Sequence, residues 1–240
     1  MEIMVIPSVN EARADDLANK TVIVIDVLRA TSTMLTALAH GAKEIYPVET
    51  VLQAKQLQQP HYLMGGERSC RKIPGFDFGN SPLEYRDDRI AGKTIIVTTT
   101  NGTRAIQKAG KAATIFTGSL LNGKACAEAA AALNKDIVIL CSGTQDVYAF
   151  EDGLCAGQLV DELLRLFQHQ RAEWGVNDFG LSMLHAFRHV EGDIPRALLQ
   201  SSNGKRLCKL GFEEDVHYCA QLNQVPLVPV LREGKLILGG

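Results

Sequence analysis

The stretch Val22-Ile23-Val24-Ile25-Asp26-Val27-Leu28-Arg29-Ala30-Thr31-Ser32 decides the fold class of this chain. An unbroken run of β-branched residues is what a strand covered on both faces requires, because neither face needs polar residues. The run then breaks into an acid, an arginine and two hydroxyls, and Ser32 stands ready to cap the helical segment TMLTALAH. TIIV at 94–97 and IVIL at 137–140 repeat the theme, with Asn101 placed before GTRAIQKAG and Asn122 before GKACAEAAAAL. Further short strands are expected at 3–6, 44–48, 62–64 and 114–117. This alternation predicts a three-layer α/β/α fold with a largely parallel or mixed sheet and right-handed crossovers. From Phe150 a long helix is expected to about Gln168, followed by a mainly helical C-terminal portion. Pro226 and Pro229 interrupt VPLVPVL, which predicts an edge strand before the closing LREGKLIL. With no repeat and no long linker, residues 1–240 read as a single domain.

Composition removes several classes of function. Lys+Arg 25 against Asp+Glu 27 leaves a formal charge of −2, so nothing marks a nucleic-acid binder. No apolar run approaches the roughly 20 residues of a membrane span, and the acidic MEIMVIPSVNEARADD is no signal peptide. The expectation is a soluble, cytoplasmic protein, with the oligomeric state left open, a homo-oligomer included. Cys70, Cys126, Cys141, Cys155, Cys208 and Cys219 are scattered with no C-x-x-C pair, which speaks against a disulfide framework or a zinc cluster.

Known catalytic spacings are missing as well. There is no G-x-G-x-x-G, and Gly92-Lys93-Thr94 has Asp87 where a P-loop needs its leading glycine. No serine sits in G-x-S-x-G, no cysteine has an arginine six positions later, and no two aspartates stand two apart. His185 and His189 share a helical spacing without an acid or cysteine beside them and read as structural, as do Trp174, Met183 and Phe187.

What remains is the chemistry at strand ends, where open α/β sheets place their ligands. VIVI runs into Asp26, Arg29 and Thr31; the strand at 62–64 runs into Gly65-Gly66-Glu67-Arg68; TIIV runs into Thr98-Thr99-Thr100-Asn101-Gly102-Thr103-Arg104; and IVIL runs into Cys141-Ser142-Gly143-Thr144, with Glu151 and Asp152 just beyond. Hydroxyls, a glycine and a helix start in TTTNGT suit an anion, and Arg29, Arg68 and Arg104 from neighbouring loops would add planar, multidentate donors. Taken alone, the same turn is equally an ordinary helix cap. The acids Asp26, Glu67, Glu151 and Asp152 offer hard oxygens of the kind Mg²⁺ takes, and each has a structural alternative as a cap or an arginine partner. The long segment between Tyr62 and Thr94 reads as a glycine-rich, positively charged cover carrying Arg68, Arg71 and Lys72. Ser201-Ser202-Asn203-Gly204-Lys205-Arg206 reads as a break between two helices, with an anion-holding turn as the alternative.

Four blocks, VIVIDVLRATST, GGERSCRKIPGFDFGNSP, TTTNGTRAI and CSGTQDVYAFEDGLCAG, resemble the 2-phosphosulfolactate phosphatases, in order along essentially the whole chain. The resemblance implies a three-layer α/β fold and a Mg²⁺-dependent hydrolysis of (2R)-2-phospho-3-sulfolactate to 3-sulfolactate and phosphate, a step of coenzyme M biosynthesis. Motif positions carried over are Asp26, Arg29, Thr31, Glu67, Asn80, Ser81, Thr100, Asn101, Gly102, Glu151 and Asp152. On the chemistry of these residues, Asp26, Arg29, Glu67 and Asn101 are expected to be catalytic. Asp26, Glu67, Glu151 and Asp152 are expected around the metal. The substrate, a small anionic phosphoester, would be held by Arg68, Thr31, Asn80, Ser81, Thr99, Thr100, Gly102, Thr103, Arg104, Ser142 and Gly143. A covalent aspartyl-phosphate at Asp26 is the mechanistic rival to a water nucleophile. A phosphatase of another small acidic phosphoester, or a non-catalytic binder of such metabolites, are the functional alternatives.

Overall fold

A computed structural model of the chain describes residues 1–168 and 174–239. The strands are β1 (Glu2–Ile6), β2 (Thr21–Ile25), β3 (Glu44–Pro47), β4 (Leu63–Arg68), β5 (Arg71–Lys72), β6 (Thr94–Thr98), β7 (Thr114–Gly118), β8 (Ile137–Cys141), β9 (Gly175–Val176), β10 (Pro229–Arg232) and β11 (Lys235–Leu238). Among the described residues they form one mostly parallel sheet in the order β5-β4-β6-β3-β11-β10-β7-β2-β8-β1-β9. The helices are α1 (Ala14–Leu17), α2 (Ala30–Ala39), α3 (Val51–Leu57), α4 (Gly102–Lys108), α5 (Gly123–Ala131), α6 (Phe150–Phe167), α7 (Asp178–Val190), α8 (Ile194–Gln200), α9 (Ser202–Lys209) and α10 (Glu213–Cys219). No helix among the described residues is long and apolar enough to cross a membrane.

The apolar runs read from the sequence are the central strands, and their alternate residues feed two cores. Ile23, Ile25, Ile137 and Ile139 pack with Cys126 of α5, Leu154 and Leu159 of α6, Phe187 of α7 and Leu198, Leu207 and Val216 of the C-terminal helices. Val22, Val24, Val138 and Leu140 point the other way, onto Met34 of α2 and Ile106 of α4. A residue period of two thus serves two buried faces, which is why no polar alternation is visible in the sequence. Ile45, Ile95 and Val97, from β3 and β6, join the second core.

The structure corrects the reading of the C-terminus. VPLVPVL is no edge: β10 and β11 form an antiparallel hairpin in the middle of the sheet, between β7 and β3. Pro229 is tolerated because it is the first residue of its strand, where the missing N–H costs little. This hairpin also sets chain direction. The pairings β7–β10, β10–β11 and β11–β3 are all antiparallel, so the block β3, β6, β4 runs opposite to the block β7, β2, β8, β1. In a flat sheet their carboxyl ends would lie on opposite edges. Sheets twist by about 20–25° per neighbouring pair, and β7, β10, β11 and β3 stand between β2 and β6, so opposite direction alone does not keep the ends of the two blocks apart.

Three local expectations also shift. α2 starts at Ala30 rather than after Ser32, with Arg29 at its N-cap position; the Ser32 hydroxyl donates instead to Val27 O at 2.9 Å. Asn101 and Asn122 occupy N-cap positions without capping through their side chains. β4 does not end at Met64 but continues through Gly65, Gly66 and Glu67 to Arg68. The cover expected over 65–93 is largely ordered structure: the β4–β5 hairpin and two short 3₁₀ turns at Pro82–Arg86 and Asp88–Ile90.

Candidate active site

The end of β2, the end of β4, the turn after β6, the β8–α6 loop and α9 surround one polar pocket of about 110 Å³. Asp26 and Glu67 form its acidic side, with Thr99, Thr100 and Asn101 alongside. Both acids are held by backbone amides. Asp26 Oδ1 accepts from Ala30 N at 3.0 Å, and the Gly102 amide also stabilises its carboxylate. Glu67 Oε2 accepts from Cys70 N at 2.7 Å, while Oε1 accepts from Thr100 N at 3.0 Å and from the Thr100 hydroxyl at 2.8 Å. The donors of the TTTNGT turn, read as a cradle for an external anion, are therefore largely spent on the protein's own carboxylates. Thr99 and Thr103 complete the turn by bonding each other, Thr103 N to Thr99 Oγ1 at 3.2 Å and Thr103 Oγ1 to Thr99 O at 3.0 Å.

Two glycines make this geometry possible. Gly66 has a φ of +143°, and a Cβ there would lie 2.0 Å from Thr98 O. At Gly102 a Cβ would lie 2.8 Å from the Asp26 carboxylate and 2.6 Å from Ala30 Cβ. Burial pushes the Asp26 carboxyl up to about 7; nearby Glu67 and Glu151 add to the rise, and the Ala30 and Gly102 amides oppose it.

Arg29 reaches the pocket from the other side, and its position is fixed from far along the chain. Its Nη1 donates to Asp215 Oδ2 at 2.5 Å, and its guanidinium lies 4.3 Å from the centre of the Phe212 ring. Asp215 Oδ1 in turn accepts from the Ser81 hydroxyl at 2.6 Å. Arg29 and Asp215 are 3% and 2% exposed, so this is a buried ion pair joining the start of α2, the 80s turn and α10. Asn80 lines the pocket with a buried amide oxygen that has no hydrogen-bond partner. An acceptor left in that state invites a donor or a cation.

Of the residues expected at the site, Asp26, Arg29, Glu67, Asn80, Thr99, Thr100 and Asn101 line the pocket, and Ser81 and Gly102 sit one contact behind it. The others serve the frame. Thr31 Oγ1 donates to Asp26 O and accepts from Asp26 N, which fixes the turn. Arg68 faces away, bonding Glu67 O, Glu49 O and Thr98 Oγ1. Arg104 pairs with Asp146 at 2.7 Å and with Asn10 on the exposed side. Both arginines are absent from the lining because carbonyls or an acid outside the pocket already claim their donors. Asp152 spends one oxygen on Val27 N and the other on Gly143 N, tying the β2 and β8 loops together. Ser142 is buried, its amide bonded to Ile25 O, and with Gly143 lies outside the lining. Glu151 stands behind Asn203, whose Nδ2 donates to Glu151 Oε1 and to Thr144 Oγ1, each at 2.6 Å.

Leu28, Thr144, Asn203, Arg206, Ser69, Cys70 and Gln145 complete the lining; Thr144 stood in the strand-end stretch after β8, and Asn203, Arg206, Ser69, Cys70 and Gln145, with Asp215, are what the expected site residues left out. The break at Ser201–Arg206 was the visible signal for Asn203 and Arg206. Ser201 caps α9 by accepting from Gly204 N at 2.9 Å, confirming the helix break, and that cap delivers the two side chains. Nothing local marks Asp215, which becomes meaningful only beside Arg29.

A model of the 2-phosphosulpholactate phosphatase family matches residues 6–234. The chain belongs to that family. It is 40% identical over 234 residues to a probable 2-phosphosulfolactate phosphatase of Symbiobacterium thermophilum, covering 96% of this chain and 99% of the relative. A second relative of the same description, from Carboxydothermus hydrogenoformans, is 42% identical over 224 residues, 92% of this chain and 90% of its own. A third, from Clostridium acetobutylicum, is 38% identical over 240 residues, covering 99% and 100%.

For a family member the electrostatics of the pocket are informative. Two carboxylates face it and a third stands close; of the two arginines in the lining, Arg29 is already paired with Asp215, and Arg206 comes from α9. Among the described residues no group of three or more His, Cys, Asp and Glu could hold an ion by protein ligands alone. Two fixed carboxylates and an unpartnered amide oxygen do fit Mg²⁺, which keeps several waters and takes only one or two carboxylates before meeting a phosphate.

Proposed function

We propose that the protein is a Mg²⁺-dependent, cytoplasmic phosphomonoester hydrolase that converts (2R)-2-phospho-3-sulfolactate to 3-sulfolactate and phosphate. The observation that carries the reading is the Asp26–Glu67 pair, two carboxylates immobilised by backbone amides in one pocket, neither of them in an ion pair among the described residues. Asp26 and Glu67 would hold the ion, with Asn80 Oδ1 near enough to the same space to orient a coordinated water or the ester. Glu151 and Asp152, expected as ligands, act in this reading as supports, Glu151 through Asn203 and Asp152 through two loop amides. Bound there, Mg²⁺ would supply neutralisation of the phosphate charge and acidification of a water.

The chain's own residues do the rest. Arg29, immobilised by Asp215 and Phe212, offers its remaining donors to the equatorial phosphate oxygens, whose charge grows in the transition state. Asn101, which lines the pocket at the β6–α4 turn, would orient the leaving oxygen. Asp26 is anchored as a ligand by the Ala30 and Gly102 amides, which disfavours it as a nucleophile swinging onto phosphorus.

Phosphate release from 2-phospho-3-sulfolactate in the presence of Mg²⁺, lost with EDTA and restored by added Mg²⁺, is the expected outcome. Tight binding without turnover would replace the enzyme with a binder, and undiminished turnover in EDTA would remove the metal. An acid-stable phosphoenzyme trapped at Asp26 would overturn the role given to that carboxylate.

A further inference from the structure

Next to the pocket lies a second depression of about 430 Å³ lined by Ser69, Arg71, Arg206, Lys209 and Leu210. Ser69 and Arg206 line both spaces, so the two adjoin at these residues. The depression is basic for local structural reasons. Ser69 and Cys70, at φ +55° and +66°, form a two-residue turn that folds β5 back on β4 and pairs Arg71 with Arg68. The same turn supplies the Cys70 amide to Glu67, so the device that fixes the acid also presents Arg71. Opposite it, Arg206 and Lys209 lie three residues apart on α9, a spacing that puts them on one helix face.

These cations differ from the other arginines around the site. Arg29 is paired with Asp215 and Arg104 with Asp146, and Arg68 is spent on carbonyls and a hydroxyl. Arg71, Arg206 and Lys209 make no ion pair among the described residues. Three cations without ion pairs around this depression, next to two carboxylates in the adjoining pocket, sort a ligand by its charges. The ester end goes to the acidic side with its metal, and a second, permanently ionised group goes to the basic wall.

We propose that Arg206, Arg71 and Lys209 are the subsite for the sulfonate of the substrate and determine the preference for sulfonated phosphoesters. A sulfonate keeps its charge at every physiological pH and presents three oxygens, which suits the planar fork of Arg206 with Arg71 and Lys209 as further donors. This inference rests on the phosphatase reading and goes past it, since the reading does not say what holds the far end of the substrate.

The test compares kcat/KM for 2-phospho-3-sulfolactate and for 2-phospholactate, which keeps the carboxylate and the ester but lacks the sulfonate. Arg206→Gln is expected to lower kcat/KM for the sulfonated ester about 10- to 100-fold, mainly through KM, and to collapse the preference over 2-phospholactate. Arg71→Gln, at an exposed hairpin turn where folding is not at stake, is expected to move the preference in the same direction by a smaller factor, and Arg206→Lys to recover part of it. Equal losses on both substrates, or an unchanged preference, would overturn the assignment. Should wild type hydrolyse neither ester, the phosphatase reading fails separately. Calorimetric binding of 3-sulfolactate then decides the subsite: weaker binding to Arg206→Gln sustains it, and equal binding removes it.

Discussion

The two sides of the pocket are built by opposite means. On the strand-end side, Asp26 and Glu67 are positioned by main-chain amides of Ala30, Gly102, Cys70 and Thr100, so their places are set by the course of the backbone. On the helical side, Arg29, Asn203 and Arg206 are set by side-chain contacts or by the face of a short helix, with Asp215, Glu151 and Thr144 as partners. The first arrangement is stiff and tolerates little change. Within the second, Arg29 is locked by Asp215, whereas Arg206 makes no ion pair among the described residues and can be changed by itself, which suits recognition of the far end of a substrate rather than its reacting bond.

The largest test of this contrast is Asp26→Asn. Turnover should fall by about a thousandfold, with substrate affinity much less affected, measured as kcat against KM at saturating Mg²⁺. The same variant has a signature in metal-free protein. A carboxyl raised from its ordinary 3.8 to about 7 favours the folded state below its unfolded pKa and loses that contribution as pH rises through the folded one. The metal-free melting temperature should therefore decline between about pH 4 and pH 7, and Asp26→Asn should flatten that decline.

Next in size is Asp215→Ala, which leaves Arg29 buried without its partner and should cost about 3–5 kcal/mol of stability. Asp215→Asn keeps the acceptor oxygen and separates folding from positioning. If Asp215 orients Arg29, kcat should drop about tenfold while the protein still melts cooperatively; unchanged kcat in that folded variant would strip Asp215 of the positioning role.

The smallest effect on chemistry is expected at Asp152, although it is an acid in the family's motif. Asn there can accept only one of the two loop amides, Val27 N and Gly143 N, so stability should fall by about 1–3 kcal/mol. Mg²⁺ affinity, read by calorimetry, should stay close to wild type. A large loss of metal affinity would return Asp152 to the ligand set and erase the division between pocket acids and frame acids.

Much of the strand-end side was legible in the chain. Apolar runs ending in Asp26, Glu67 and the TTTNGT turn mark strands and their carboxyl ends, because burial on two faces and the abrupt change to polar residues are local properties. Which acid faces ligand and which holds the frame was not legible. Asp152 and Glu67 look alike in sequence, and both accept from two backbone amides; only the fold puts Glu67 in the pocket lining and Asp152 behind it. The basic segments at 65–72 and 201–206 were both visible, but nothing local says that Arg71 and Arg206 share a wall while Arg68 and Arg104 are spent elsewhere.

Sequence alone determined that strands and helices alternate, where the reactive side chains cluster along the chain, and which family those blocks belong to. Tertiary structure alone decided that the clusters meet. The β10–β11 hairpin enters the centre of the sheet and reverses one parallel block against the other. Their carboxyl ends nonetheless line one pocket, a meeting that depends on the twist neighbouring strands accumulate between them. Local patterns encode burial and turn chemistry, whereas the summed rotation of a sheet belongs to no single segment.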